Sequence, residues 1–487
     1  MRWAWTQLTS MRNALVLLVL LALAAIPGSL IPQSRISVAD VAAYKRDHPT
    51  LDKLWQPLGM YDVYASPWFS AIYLLLFISL IGCILPRIKK YAVDVVAPPA
   101  KLPSHPEKLP VARRMAATPE TLARAERWLK RKGFRTLASD RGISAERGYA
   151  REAGNLIFHL SLVAVLVGLA WSNFLGFSGT AVVVEGRGFA NSITQYDDFS
   201  AGAWRDTDRL EPFSLEVHRF FAAFETGQVQ RGAARLFEAE MSVTEAGETH
   251  NARLTVNGPY ITAGGTQINL LGHGYAPHFT VRDGEGAVAF EGPVVFLPVD
   301  GNFTSQGVVK VPDARPERLA FEGTFLPTAV LDGETARSVF PDAIEPEVWL
   351  NAWRGKPGAE TGVPENVYTL NPRGLEPVLG DNDERLRARM KPGSGFTLPE
   401  GLGSVQFDGY SRWVKLQFSE TPGNQLTLWA IMVGILGLTV SLFVKPRRIF
   451  VVRAGDGVVV GGLDRSPTGL RVEDEVRSLV EELEEEA

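Results

Sequence analysis

The sequence of 487 residues contains a single cysteine, Cys83, and this scarcity excludes several kinds of chemistry. One cysteine forms no intramolecular disulfide, no Cys-x-x-Cys redox pair and no cysteine-rich zinc site. The sequence also lacks a Gly-x-Ser-x-Gly motif and a phosphate-cradling glycine loop that opens a helix, so neither a hydrolase nucleophile nor a nucleotide site is predicted. Cys83 itself is expected to be a small packing residue.

Asp, Glu, Lys and Arg are missing from four apolar runs, at residues 14–31, 68–85, 155–175 and 426–444. Each run approaches the about 20 residues that an α-helix needs to cross a bilayer, which predicts four transmembrane helices. The first run could instead be a cleaved signal peptide, but it is longer than a typical signal-peptide core and lacks a small-residue cleavage site. We expect it to be a retained helix.

The distribution of Lys and Arg predicts the orientation of these helices. Residues 86–154 hold 16 Lys and Arg against 7 Asp and Glu, whereas residues 176–425 hold 21 against 33. We therefore expect residues 86–154 to be cytoplasmic, as a loop or subdomain, together with the N-terminus (1–13) and the tail (445–487). Residues 32–67 and 176–425 should be extracytoplasmic. Because topology and lipid headgroups explain the basic residues, nucleic-acid binding is not predicted.

The acidic segment 176–425 is predicted to be mostly β, as a sandwich or an open barrel. Short runs with strand-like alternation are separated by Gly, Pro, Asn and Asp. These runs are residues 180–185, 213–217, 253–256, 266–270, 278–282 and 293–297. The predicted fold is thus an integral membrane protein with four transmembrane α-helices and a large, mostly β extracytoplasmic domain inserted between helices 3 and 4.

Two shorter helices are predicted on the cytoplasmic side. One covers residues 119–133, with Thr118 as its N-cap and Gly133 as its end, and its apolar face would pack on a small subdomain or lie on the inner leaflet. The other is an acidic helix at residues 473–486, whose charges should be solvated.

One ionisable side chain, His159, lies inside an apolar run. An ionisable group in a membrane helix marks a functional site by default, and imidazole is a favoured metal and haem ligand. The alternative is an interfacial histidine, because His159 is only about one helical turn from the start of the run at residue 155. In the acidic segment, His273 and His278 are an odd number of residues apart, so on one strand they should face opposite sides and not share an ion, unless Pro277 introduces a bulge.

Several motifs resemble those of the ResB (CcsB) family of cytochrome c biogenesis proteins. In the first two helices they are Ile31-Pro32-Gln33, the run Leu-Gly-Met-Tyr-Asp-Val-Tyr-Ala-Ser-Pro-Trp-Phe at 58–69, and Ser-Leu-Ile-Gly-Cys-Ile-Leu-Pro-Arg at 79–87. In the last two they are Glu146-Arg147-Gly148, Phe158-His159-Leu160-Ser161-Leu162, Pro422-Gly423 and Lys445-Pro446-Arg447-Arg448. The resemblance is specific in the membrane segments and vague between 176 and 425.

The resemblance implies a non-catalytic or co-catalytic subunit in the bacterial plasma membrane. With a CcsA (ResC) type partner it would move haem b, as a transient substrate, across the membrane and present it to apocytochrome c. The family's intramembrane histidine, a candidate axial ligand of the iron, corresponds to His159. Cations near the inner surface would hold the haem propionates, and Arg151 and Arg87 are the candidates, although ordinary positive-inside anchoring also accounts for them.

Two other functions remain open at this stage. A membrane b-type electron carrier would hold each haem between two histidines on facing helices, but only one histidine lies in the apolar runs. A receptor whose external β-domain does the work would make His159 incidental.

Overall fold

The computed structural model describes residues 5, 10–34, 38–332, 335–356, 367–380, 384–464 and 470–485. The predicted N-terminal segment 1–13 and the tail 445–487 lie partly outside these residues. The chain divides into two compact units. The first unit consists of Met1–Ser172 with Pro422–Ala487, and the second consists of Asn173–Thr421.

Among the described residues, four helices are long and apolar enough to cross a membrane. The helices in chain order are α1 (Met11–Leu30), α2 (Val38–Asp47), α3 (Pro49–Trp55), α4 (Pro67–Val96), α5 (Thr121–Arg131), α6 (Ala150–Leu175), α7 (Asn424–Phe443) and α8 (Leu470–Glu485). The four apolar runs correspond to α1, α4, α6 and α7, with ends that agree to within three residues except at two places. Helix α6 begins five residues earlier than its run, and α4 continues eleven residues beyond Leu85.

Helix α4 passes through Pro86 without ending there and stops only at Val96. Arg135 holds its far end, because the guanidinium donates to the carbonyl oxygens of Val95 (2.6 Å) and Ala97 (2.9 Å). These bonds satisfy acceptors that a helix end leaves open. Residues 86–96, predicted as part of a loop, are therefore helical.

The basic segment and the tail build one α/β subdomain in the first unit. Its described strands are β1 (Val111–Ala116), β2 (Arg135–Ser139), β3 (Gly142–Arg147), β23 (Arg447–Ala454) and β24 (Gly457–Asp464). They form an antiparallel sheet in the order β1-β24-β23-β3-β2. Because β23 pairs with β3 and β24 with β1, the tail completes a sheet that the segment before α6 begins.

Helices α5 and α8 cover this sheet with their apolar faces. Ala125, Trp128 and Leu129 of α5 are buried, as are Val476 and Leu479 of α8. The predicted apolar face of α5 thus packs on a subdomain. The predicted N-cap is wrong: α5 begins at Thr121 with Glu120 as N-cap, and the Thr118 hydroxyl bonds to that of Thr121. In the acidic tail helix Glu473 and Asp474 are exposed, as predicted, but Glu475 is only partly exposed and pairs with Arg147 and Arg447, so the prediction that its charges are solvated holds for only part of the helix.

Helices α6 and α7 approach closely because small residues line their contact. Gly154, Ser161 and Gly168 are the buried residues of α6, at intervals of seven. Gly154 lies against Gly437 of α7 and Ser161 lies against Gly434, while Gly168 lies against Thr427 near the start of α7. A Cβ added at Gly154 would lie 2.5 Å from the carbonyl oxygen of Gly437, a distance that only glycine permits. This small-residue packing is typical of helices that associate in lipid.

The second unit is mostly β, as predicted. Its strands are β4 (Phe177–Val184), β5 (Arg187–Ala190), β6 (Asp198–Ala201), β7 (Phe213–Phe224), β8 (Ala234–Glu245), β9 (Glu248–Thr255), β10 (Tyr260–Ile261), β11 (Gln267–Asp283), β12 (Val288–Pro293), β13 (Leu297–Pro298), β14 (Ser305–Val311), β15 (Arg318–Leu326), β16 (Ala329–Asp332), β17 (Thr335–Ser338), β18 (Glu347–Gly355), β19 (Leu375–Pro377), β20 (Arg387–Met390), β21 (Ser394–Thr397) and β22 (Gly403–Glu420). Five of the six predicted runs fall within strands to one residue. The sixth, residues 293–297, is wrong, since residues 294–296 link β12 to β13.

A long antiparallel pair, β11 and β22, runs through both hydrophobic cores of this β-domain. Phe279 and Phe407 belong to one core, which the sheet containing β14, β15 and β18 completes. Ile268 and Leu416 belong to the other, which the sheet of β5, β7, β8 and β9 completes. The β-domain is therefore two sandwiches that share one sheet.

Candidate functional site

His159 lies on α6 in the first unit, partly buried. Its Nδ1 is 2.7 Å from the backbone carbonyl oxygen of Asn155, one turn earlier. A carbonyl oxygen only accepts, so in the neutral ring Nδ1 carries the proton and Nε2 keeps its lone pair. A backbone bond of this kind orients many metal-binding histidines and leaves the other nitrogen as ligand.

A small cavity of about 30 Å³ touches His159 and brings one predicted cation close to it. Ile84, Arg87 and Tyr91 line it from α4, and α6 contributes Glu152, Asn155, Leu156 and His159. The structure thus places two of the three predicted site residues, Arg87 and His159, in one cavity. Arg151 is not part of this lining.

A second cavity of about 610 Å³ lies beside the first and includes Arg151. It shares Arg87, Tyr91 and Glu152 with the smaller cavity. Its volume is in the range of about 300–1,000 Å³ that is usual for ligand sites. Its cationic lining residues are Arg87, Lys90, Arg147, Arg151, Arg447 and Arg448, and its acidic ones are Asp94, Glu146 and Glu152. The cations outnumber the acids, so the cavity suits an anion.

Ion pairs neutralise only part of this positive charge. Arg448 pairs with Glu146 (2.5 Å), and Glu475 of α8 pairs with both Arg147 and Arg447. The guanidinium of Arg151, by contrast, forms no ion pair or side-chain hydrogen bond with any residue that the structure describes. Arg151 is therefore a cation at the cavity whose charge no residue in the described part of the chain neutralises.

Glu146 organises the wall where α6 begins. Its carboxylate accepts hydrogen bonds from the Tyr149 hydroxyl (2.5 Å) and the Ala100 amide (3.1 Å), besides the ion pair with Arg448. Burial, followed by the hydrogen bond to Glu146 and then the charge of Glu146, raises the pKa of Tyr149 to about 12, so this hydroxyl stays a donor at neutral pH. Tyr149 immediately precedes α6, and these bonds fix the start of the helix that carries His159.

Sequence reasoning missed Lys90 and Tyr91 as cavity residues. A signal was present: they lie three and four residues after Arg87, which places all three on one face of a helix. Because the helix was predicted to end at residue 85, these three residues were not recognised as sharing a helical face. Glu152 and Tyr149 carried no comparable signal.

In the β-domain, His273 and His278 have different neighbours, in line with their predicted opposite orientation. His278 Nε2 lies 2.9 Å from the Ser411 hydroxyl, whereas His273 packs among phenylalanine rings. Among all residues that the structure describes, no group of three His, Cys, Asp or Glu side chains could hold a metal ion.

Comparison with known proteins identifies a family. The sequence model of the ResB-like family matches residues 11–475. Three curated relatives are each named "Cytochrome c biogenesis protein CcsB". The chain is 24% identical over 259 residues to the one from a Synechococcus species, covering 52% of this chain and 51% of the relative. It is 26% identical over 290 residues to the one from Picosynechococcus (54% and 58%), and 27% identical over 270 residues to the one from Trichormus variabilis (52% and 54%). Each match spans about half the length of the relative.

Proposed function

This chain belongs to the ResB-like family, and on that premise we propose that it serves cytochrome c biogenesis by holding haem at His159 for delivery to apocytochrome c. The observation that supports the role of His159 most is the bond from Nδ1 to the Asn155 carbonyl. That bond leaves Nε2 as a free lone pair in an apolar helix, which is what an axial iron ligand needs. Haem b is the transported substrate here, and the subunit itself is non-catalytic or co-catalytic.

The cations beside His159 suit the propionate groups of that haem. Arg87 lines both cavities, and Arg151 lines the larger one without a partner of its own among the described residues. A guanidinium binds a carboxylate through two parallel hydrogen bonds, which also orients it. We assign Arg87 and Arg151 to the propionates and His159 to the iron.

The smaller cavity, at about 30 Å³, holds little more than a water molecule, so a porphyrin ring cannot lie within it. The ring would rest against the outer surface of α6 and be covered from the other side by a second membrane protein. Iron would also need another axial ligand, and α1, α4, α6 and α7 contain no second histidine. Both requirements favour a CcsA (ResC) type partner that brings its own intramembrane histidine.

The charge distribution gives the proposed direction of this delivery. The loop before α6 is rich in Lys and Arg and would be cytoplasmic with both termini, and the acidic β-domain would be extracytoplasmic. Haem would then enter on the cytoplasmic side, where the basic cavity lies at the ends of α4 and α6. A b-type electron carrier is less favoured, because such a protein supplies both histidines itself.

The test replaces His159 in the full chain, co-expressed with its partner. H159A should lose bound haem and cytochrome c maturation while its protein level stays near that of the parent, because an absent imidazole leaves no buried charge behind. Removing an outer-shell partner costs metal affinity about 10–100-fold, and removing the ligand should cost at least as much. Bound haem is read from the Soret band and maturation from haem-stained cytochrome c.

Asn155→Ala is the matched control, since it changes a side chain in the same cavity but keeps the carbonyl that bonds His159. It should retain haem. R151Q should keep the Soret position, because the axial ligand is intact, but weaken haem retention. Normal haem content and normal maturation in H159A would reduce His159 to an interfacial histidine and defeat the proposal.

A further inference from the structure

The turn at residues 202–205 of the β-domain presents an exposed tryptophan. Trp204 is 69% exposed, although tryptophan is highly buried on average. A hydrogen bond from the Arg205 amide to the Gly202 carbonyl oxygen (2.9 Å) closes the turn. Trp204 is thus the third residue of a tight turn, and most of its side chain faces outward.

This turn is bound to the end of α6. The Trp204 amide donates to the Phe174 carbonyl oxygen, and the Gly202 amide donates to that of Gly176, each at 2.9 Å. The first of these bonds satisfies an acceptor that a helix leaves open at its C-terminal end. A Cβ added at Gly202 would lie 2.4 Å from the carbonyl carbon of Phe174, so only glycine permits this approach. The indole of Trp204 stacks on the Phe174 ring, with centroids 4.4 Å apart and an interplanar angle of 17°.

An ion pair connects the same turn to the strand that leads into α7. The Arg205 guanidinium pairs with the Glu420 carboxylate at 2.7 Å and lies 5.2 Å over the Phe177 ring. Glu420 ends β22, four residues before α7 begins. The position of Trp204 is therefore fixed by backbone hydrogen bonds on one side and by this ion pair on the other.

The length of α6 indicates where this turn lies relative to a bilayer. The helix is apolar enough to cross a membrane and has 26 residues, so it is about 39 Å long. The hydrocarbon core of a bilayer is about 30 Å thick, and the headgroup layers bring the total to about 40–45 Å. The last turn of α6 therefore lies at the level of the headgroups, and so does the indole that stacks on Phe174.

The exposed groups of the turn suit a lipid surface. A single exposed apolar residue is common on proteins, but Trp204 has apolar neighbours. Leu175, the last residue of α6, is 36% exposed, and Ala203 is exposed beside Trp204. These side chains continue the apolar surface of a helix that is long enough to span a bilayer. Tryptophan is enriched at membrane–water interfaces, because its ring is apolar whereas its N–H is polar.

We propose that the turn at residues 202–205 is an interfacial anchor, in which Trp204 inserts between phospholipid headgroups at the membrane surface that α6 reaches. The anchor gives the β-domain a contact with lipid of its own, besides its chain connections to α6 and α7. This role is independent of the proposed binding of haem at His159.

The test uses the full chain in lipid nanodiscs and takes the emission of Trp204 as the difference between the parent and W204F. Phenylalanine keeps the stack on Phe174, so W204F should fold and hold haem like the parent. Lipids brominated close to the headgroup should remove most of this difference emission, and aqueous iodide should remove little. The matched control is W353F, because Trp353 is a partly buried tryptophan of β18 in the same domain. The difference emission of Trp353 should be the same with and without brominated lipid.

Several results would overturn the anchor. If iodide quenches Trp204 and brominated lipid does not, the ring lies in water. If neither quenches it, the ring is covered by protein. Equal quenching of Trp204 and Trp353 by brominated lipid would show that the effect is not specific to the turn. The measurement is repeated on the chain co-purified with its proposed partner, where the same quenching is expected. Loss of lipid quenching in that sample would assign Trp204 to a protein interface instead.

Discussion

The contact between α6 and α7 offers a direct test of how helix packing supports the His159 site. Gly154 lies five residues before His159, at the crossing point with Gly437. We expect Gly154→Ala, a single added methyl group, to destabilise the helix pair and lower haem occupancy together, although residue 154 touches neither cavity.

The magnitude follows from the geometry. The added Cβ would lie 2.5 Å from the carbonyl oxygen of Gly437 and 2.7 Å from the amide nitrogen of Ser441, whereas ordinary contacts begin at 3.4 Å. Both obstacles are backbone atoms, so no rotamer change relieves them, and the helices must separate locally by about 0.9 Å. Overpacking of this kind typically costs about 1–3 kcal/mol. A shift of about 1 Å is also enough to disturb a ligand geometry.

The assay is unfolding of the detergent-solubilised protein by sodium dodecyl sulfate, with haem content measured on the same samples. Val167→Leu is the matched control, because Val167 is on an exposed face of α6 and its change also adds bulk. G154A should unfold at lower dodecyl sulfate and hold less haem, and V167L should match the parent. Equal stability of G154A and V167L would refute the close packing of α6 on α7.

Two further predictions follow from charge and burial. Burial lowers the pKa of His273 in the folded protein to about 3, so as the pH falls the unfolded chain takes up a proton on this residue before the folded protein does. The contribution of neutral His273 to stability is therefore present above about pH 6.5 and lost as the pH falls. Urea unfolding should show the parent losing about 2 kcal/mol more than H273F between pH 7 and pH 5, and parallel curves would contradict this. For topology, in a Cys83→Ser background an impermeant thiol reagent on intact cells should label a cysteine at the exposed Ser192 but not at the exposed Ser139, and the opposite pattern would reverse the proposed orientation.

The membrane helices could be predicted from sequence because each depends on its own residues. Four uncharged runs marked α1, α4, α6 and α7, and a single intramembrane histidine singled out His159. The far end of α4 was missed, because Pro86 and the cations after it indicate a helix end. Arg135, which lies some 40 residues after the end of α4, stabilises that end through hydrogen bonds to two carbonyl groups. A local sequence pattern does not predict such distant bonds.

The larger cavity was even harder to predict from local sequence patterns than the end of α4. Its cations come from α4, from β3 and the start of α6, and from β23, which follows α7. From the sequence, these cations were interpreted as positive-inside anchors. The cations of β23 reach those of β3, α4 and α6 only because Arg447 pairs with Arg147 across β23 and β3. Strand pairing across some 300 residues cannot be read from hydrophobic periodicity. Within the described ranges Arg151 forms no ion pair, whereas Arg448 pairs with Glu146 and Arg147 pairs with Glu475.

The packing of α6 also bears on why the proposed function includes a second protein. An α-helix turns by about 100° per residue, so His159 lies about 140° around α6 from Gly154, which faces α7. Helix α7 therefore cannot cover the imidazole. Helix α4 reaches it only through the small cavity that contains Arg87 and Tyr91. Leu162 follows His159 by three residues and so lies about 60° from it around α6, and its side chain is 37% exposed. A haem bound at His159 would have protein of this chain on one side only, and the proposed partner is the component that would close the other.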